Sequence, residues 1–151
     1  MWSKIIPSFL VTFCLVVIIQ SKVPKPDNLA DYYKCWTYAE CDSDGTAHDK
    51  LINCFSSIPF EQLYPIFKYF NDSYYEFHTD SVKGAIQEYC NKSGEDQVNA
   101  FVKTFQGIFD YQDMACDSSG MNVKCKSAST LLDCFFSLLN KLKANNECTL
   151  N

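Results

Sequence analysis

The chain has 151 residues, with 13 Lys plus Arg against 18 Asp plus Glu and 47% hydrophobic residues. Its basic residues are all lysines. An acidic chain without arginine forks lacks the basic face that nucleic acid or an anionic membrane surface selects, so both partner classes are disfavoured.

The first 21 residues, "MWSKIIPSFLVTFCLVVIIQS", read as a secretory signal peptide. Lys4 supplies a positive start, Ile5 to Ile19 form an uncharged apolar stretch, and Ser21 with Ile19 two places before it forms a cleavage site. The stretch is short of the roughly 20 residues that a membrane span needs. No later segment is long and apolar enough, so no stable membrane insertion is expected. Loss of Lys4 leaves 12 lysines against 18 acids, a net charge of −6. The expected location is secreted and extracellular. Cysteine usage fits that compartment. Cys14 leaves with the signal, and Cys35, Cys41, Cys54, Cys90, Cys116, Cys125, Cys134 and Cys148 remain. An even count behind a signal predicts four disulfides, and the spacing leaves all 105 connectivities open. There is no Cys-x-x-Cys pair and the two histidines lie far apart, so no metal site and no cofactor is expected. Asn71 and Asn91 open glycosylation triplets, as Asn-Asp-Ser and Asn-Lys-Ser.

Residues 22–27, "KVPKPD", are polar and Pro-containing and predict a flexible N-terminal tail. Residues 28–151 predict a single disulfide-stapled helical domain. A first helix runs from about Asn28 to Cys41, with Leu29, Tyr32, Tyr33, Trp36 and Tyr38 as its apolar material. Asp42 to Gly45 form a turn. A second helix starts at Thr46, with Thr46 as cap and Asp49 close to a capping-box position. Pro59 and Pro65 punctuate "PFEQLYPIFKYF", which predicts one kinked helix or two short ones. "TDSVKGAIQEYC" predicts a helix capped between Thr79 and Ser81, and Gly94 marks a stop. "EDQVNAFVKTFQGIF" is the clearest amphipathic run, with Val98, Phe101, Val102, Phe105, Ile108 and Phe109 on one stripe. The last helix carries Leu131, Leu132, Phe135, Leu138, Leu139 and Leu142, with Lys141 and Lys143 near its negative end. No stretch alternates with period two. The fold class expected is all-α, a disulfide-rich domain of about six short helices.

An internal repeat suggests two related α-hairpin units. "CDSDG" at 41–45 returns as "CDSSG" at 116–120, and "LINCFSSI" at 51–58 returns as "LLDCFFSL" at 131–138. The repeat equates Cys41 with Cys116 and Cys54 with Cys134. It leaves Cys35, Cys90, Cys125 and Cys148 without counterparts, so a bridge joining the halves is expected among those four.

His48 and Asp49 resemble the His-Asp pair of small secreted phospholipases. The resemblance would make His48 a base and Asp49 a calcium ligand. The Gly-rich calcium loop and the closely flanking cysteines of that family are missing, since Cys54 is the next cysteine after His48. A helix start is therefore preferred, with no catalytic residue assigned. An EF-hand counted from Asp42 puts Gly45 fourth and Asn53 twelfth, against the sixth-place Gly and twelfth-place Glu it requires. His78 lies between Glu76 and Asp80 and reads as a surface residue. No other enzyme motif is present.

Signal, helices, eight cysteines and no enzyme motif together are similar to helical secreted cysteine-rich proteins of invertebrates, including venom components and odorant-binding-like proteins. Of the odorant-binding cysteine spacing, only the eight-residue gap between Cys125 and Cys134 agrees. Tyr32, Tyr33, Trp36 and Tyr38 crowd the first helix too densely for one buried stripe, so they are the candidate partner-binding residues. The leading expectation is a non-enzymatic secreted protein that binds an extracellular protein, with a toxin-like effector as its specific form. The alternative is a carrier for a small apolar ligand, and a phospholipase-like hydrolase stands third. A carrier requires a void of roughly several hundred Å³ lined by residues such as Phe101, Phe105 and Phe135. A filled core is preferred, because interiors pack closely.

Overall fold

The protein is described by a computed structural model over residues 22–148. The signal peptide expected over residues 1–21 lies outside the described residues. Six helices and no strand make up the regular structure of the described part.

Helix α1 runs from Leu29 to Asp42 in three hydrogen-bonding patterns: a 3₁₀ turn (Leu29–Tyr32), an α segment (Tyr33–Thr37) and a π-helical turn (Tyr38–Asp42). Asn28 caps it, its Oδ1 accepting from the Ala30 N–H at 3.2 Å. The π turn closes where the Ser43 N–H donates to the Tyr38 carbonyl at 2.7 Å. Helix α2 spans Thr46–Phe55. Here Gly45 is the cap, without a side-chain bond, and Thr46 is the first helical residue. Asp49 keeps its place in the first turn, facing the positive helix end, but the capping box is not formed.

Helix α3 (Phe60–Ser73) passes through Pro65 as one helix. A proline in the second turn forfeits one ladder bond. The buried stripe of Leu63, Ile66, Phe67 and Phe70 offsets that loss. Helix α4 (Val82–Cys90) starts where Ser81 Oγ accepts from the Gly84 N–H at 3.0 Å, within the expected cap.

Helices α5 (Gly94–Asp117) and α6 (Asn122–Ala144) are long, not short as expected. Gly94 opens α5 with φ +58°, a conformation that suits glycine, and so starts a helix instead of stopping one. Helix α5 also outruns its apolar motif, because Tyr111, Gln112 and Ala115 continue its buried face. A four-residue link makes α5 and α6 an antiparallel pair, the centre of the fold. Helix α3 packs on α5 and α2 on α6. Gly107 permits the first of these contacts, since a Cβ there would lie 2.5 Å from the Phe70 Cβ.

Four disulfides use all eight cysteines of the described residues. Cys54–Cys134 ties α2 to α6, and Cys116–Cys125 closes the α5–α6 turn. Cys41–Cys90 ties the end of α1 to the end of α4, and Cys35–Cys148 ties α1 to the C-terminal segment. The last links two of the four cysteines left over by the repeat. The equated pair Cys54 and Cys134 bond to each other, whereas Cys41 and Cys116 take different partners.

The segment 22–27 has no regular structure and lies against α5. Val23 N–H donates to Gln112 Oε1 at 2.9 Å, and Gln112 Nε2 donates to the Val23 carbonyl at 2.9 Å.

Candidate functional site

The large aromatic content converges on one place. Trp36 from α1 meets Phe105 edge-on at 4.9 Å and Phe135 at 5.1 Å between ring centres, and Phe101 stacks at a tilt on Phe105 at 4.7 Å. Edge-to-face packing of this kind is favoured by the ring quadrupoles. Rings are stiff plates, and helices of unequal pitch cannot bring them together everywhere. Side chains from all six helices surround a cavity of about 70 Å³. Phe101, Phe105 and Phe135 line it, as do Ile66, Phe70 and Ala85. The core is closely packed but for this void, which is well below the several hundred Å³ set for a carrier.

The cavity wall is apolar except for Glu40, Thr104 and Tyr89. Glu40 lies in the π turn of α1, is 4% exposed and lines the cavity. Neither of its carboxylate oxygens has a hydrogen-bond partner among the described residues. Thr104 of α5 also lines the cavity, and its Oγ1 is buried without a partner. Burial pushes the Glu40 carboxyl up to about 7, because the apolar surroundings disfavour its charged form. The other titratable side chain in the wall is Tyr89 of α4, whose hydroxyl is 2.7 Å from Thr37 Oγ1. Burial, and secondarily the negative fields of Tyr33 and Glu40, hold the Tyr89 phenol above its usual range against the Thr37 bond.

Buried polar groups in proteins are nearly always paired. Two unpaired ones facing the same cavity therefore call for an explanation. The π turn adds to it, since such widened turns recur at functional positions. Val82 and Ile86 of α4 line the cavity and are only half-buried.

The sequence-predicted residues fall elsewhere or play other parts. Trp36 is buried in the aromatic core and offers no surface to a partner, which corrects the expectation for that residue. Tyr32, Tyr33 and Tyr38 are half-buried. Tyr32 donates to Asn140 at 2.8 Å and Tyr33 to Gln97 at 2.7 Å, so both hydroxyls are used internally. His48 is half-buried with Nδ1 3.1 Å from the Ala39 carbonyl, and Asp49 is exposed. His78 is exposed and pairs with Glu88, Nδ1 to Oε1 at 3.0 Å. Asn91 is exposed, while Asn71 is half-buried, its Oδ1 accepting from the Phe77 N–H at 2.8 Å. Among the described residues no cluster of three or more His, Cys, Asp or Glu is placed to hold a metal, and no helix is long and apolar enough to cross a membrane.

Sequence reasoning missed Glu40 and Thr104, although a signal for the first existed. Glu40 stands four residues after Trp36, on the stripe that buries Leu29, Trp36 and Ala39. Thr104 likewise lies three residues after Phe101. No protein-family model, no curated protein and no solved structure matches this chain.

Proposed function

We propose that the protein is a secreted, non-enzymatic carrier of a small, mainly apolar ligand held between α1, α4 and α5. The observation that supports this reading is an apolar cavity whose wall includes two buried polar groups, the Glu40 carboxyl and Thr104 Oγ1, without a partner among the described residues. A merely structural core gains nothing from burying an unpaired carboxyl, which costs stability. Four disulfides suit an oxidising, extracellular setting. They also stiffen a fold that has an incompletely filled interior.

The test uses fluorobenzene, a single ring, for which the void of about 70 Å³ must widen. Titrated into the protein and read by ¹⁹F NMR, it is expected to show saturable binding at one site. Ala85→Leu adds a side chain into the cavity and is expected to lower that affinity at least tenfold while the melting temperature holds or rises. A wild-type protein without saturable binding, or an Ala85→Leu variant that binds equally well, would contradict the carrier reading.

A second reading, binding of an extracellular protein in the manner of a toxin-like effector, has its own support. Phe60 and Val123 are 65% and 63% exposed, and Val123 shares a surface groove with Glu61, Gln62 and Pro65 of α3. Exposed apolar side chains of this size are unusual on a free monomer when they cluster. The carrier reading ranks first because the cavity, unlike the groove, contains unpaired buried polar atoms.

A further inference from the structure

The unpaired polar side chains in the cavity wall restrict the chemistry of what it can take. This inference rests on the carrier reading above and adds the ligand's class. A hydrocarbon would leave the Glu40 oxygens and Thr104 Oγ1 as unpaired as they are now. A fatty acid would set a second carboxylate against Glu40 in apolar surroundings, where like charges repel strongly. An alcohol would supply one donor for three acceptor atoms. A protonated amine supplies three N–H donors and a positive charge, which compensates the carboxylate in place of water. The walls favour the same choice. An aromatic ring face attracts a cation, and Tyr89 also lines the cavity. The net charge of −6 over residues 22–148 further favours a cation over an anion.

We infer that Glu40 and Thr104 receive the ammonium group of a small arylalkylamine or alkylamine whose apolar body lies among Trp36, Phe101, Phe105 and Phe135. The void of about 70 Å³ limits the body to at most one ring, and its lining must give way to admit that ring. Binding is linked to a proton. Below pH 7 the free protein carries Glu40 as the neutral acid. On binding, the carboxyl O–H bond breaks, its proton goes to the buffer, and the carboxylate pairs with the ligand's ammonium, which keeps its own protons. Among the described residues no other charged group lines the cavity: Tyr89 of α4 remains neutral across this range, and the lining residues of α2, α3, α5 and α6 carry no titratable group.

The experiment is calorimetry with phenethylamine and its uncharged counterpart propylbenzene, on the wild-type protein and on Glu40→Gln. In the wild type, phenethylamine is expected to bind at one site at least tenfold more tightly than propylbenzene. At pH 6, runs in buffers of different ionisation enthalpy are expected to show release of about one proton per amine bound, falling towards none above pH 8. In Glu40→Gln the preference for the amine over propylbenzene should vanish. Should that variant not fold, the proton release of the wild type decides alone. Equal affinity for both compounds, or amine binding without proton release at pH 6, overturns the amine assignment and leaves the carrier reading standing. If neither compound binds and fluorobenzene also fails, the carrier reading falls with it.

Discussion

Replacing Phe105 by alanine is expected to destabilise the protein by about 3–5 kcal/mol, the range for truncating a large buried aromatic. Phe105 is 1% exposed and touches the rings of Trp36, Phe101, Phe135 and Phe136, so four edge-to-face or tilted contacts go with it. It already borders the cavity, and its loss enlarges a space that the stapled helices cannot close. Helices α5 and α6 are fixed at one end by Cys116–Cys125, and α6 is fixed to α2 by Cys54–Cys134, so collapse is restrained. The measurement is urea unfolding with disulfides intact. Phe60→Ala, at a residue 65% exposed, serves as the comparison and should change stability by less than about 0.5 kcal/mol. Equal effects of the two substitutions would mean that Phe105 is not a core residue.

The second large effect is a dependence of stability on pH that traces to one residue. Glu40 has a carboxyl pushed from 4.5 up to about 7 by burial. Between those values the folded protein holds a proton that the unfolded chain releases, so stability falls as pH rises. The contribution is fully present below pH 4.5 and is lost by the time pH passes 7. A shift of this size corresponds to a loss of about 3 kcal/mol. Other groups also titrate, such as Glu88, which is desolvated yet held below its usual range by His78 and Lys92. The difference between wild type and Glu40→Gln cancels these. Near pH 4 the two proteins should be similar in stability, and at pH 8 the wild type should be the weaker by about 3 kcal/mol. Parallel stability curves across that range would show that Glu40 ionises without penalty.

Much of the fold was legible because it depends on local chemistry. The polar caps Asn28 and Ser81 start their helices within the expected limits, and the apolar stripes of α5 and α6 became the central pair. Where the reading missed, tertiary contacts overrode local rules. Pro65 remained inside α3 because four neighbouring apolar residues are buried, and α5 ran on past Phe109 because Tyr111, Gln112 and Ala115 found partners. Gly94 punctuates the chain in either direction, and only its φ decides that it opens a helix. Disulfide pairing depends on which helix ends meet, which spacing does not encode. The candidate site was the least legible part. A Glu in a stripe that contains Trp36 and Ala39 is easily assigned to the solvated face, since acids are rarely buried unpaired. The cavity itself arises from how side chains of all six helices meet around it, a property of no single segment.

The account stands or falls on Glu40 being buried, unpaired and turned into the cavity. Its side-chain carboxyl carbon, followed by NMR in protein labelled at glutamate and assigned by comparison with Glu40→Gln, reports this directly. The resonance is expected to titrate with a midpoint near 7 in the free protein. A midpoint near 4.5, the ordinary value for a solvated glutamate, would contradict the burial of Glu40 and the ligand site built on it.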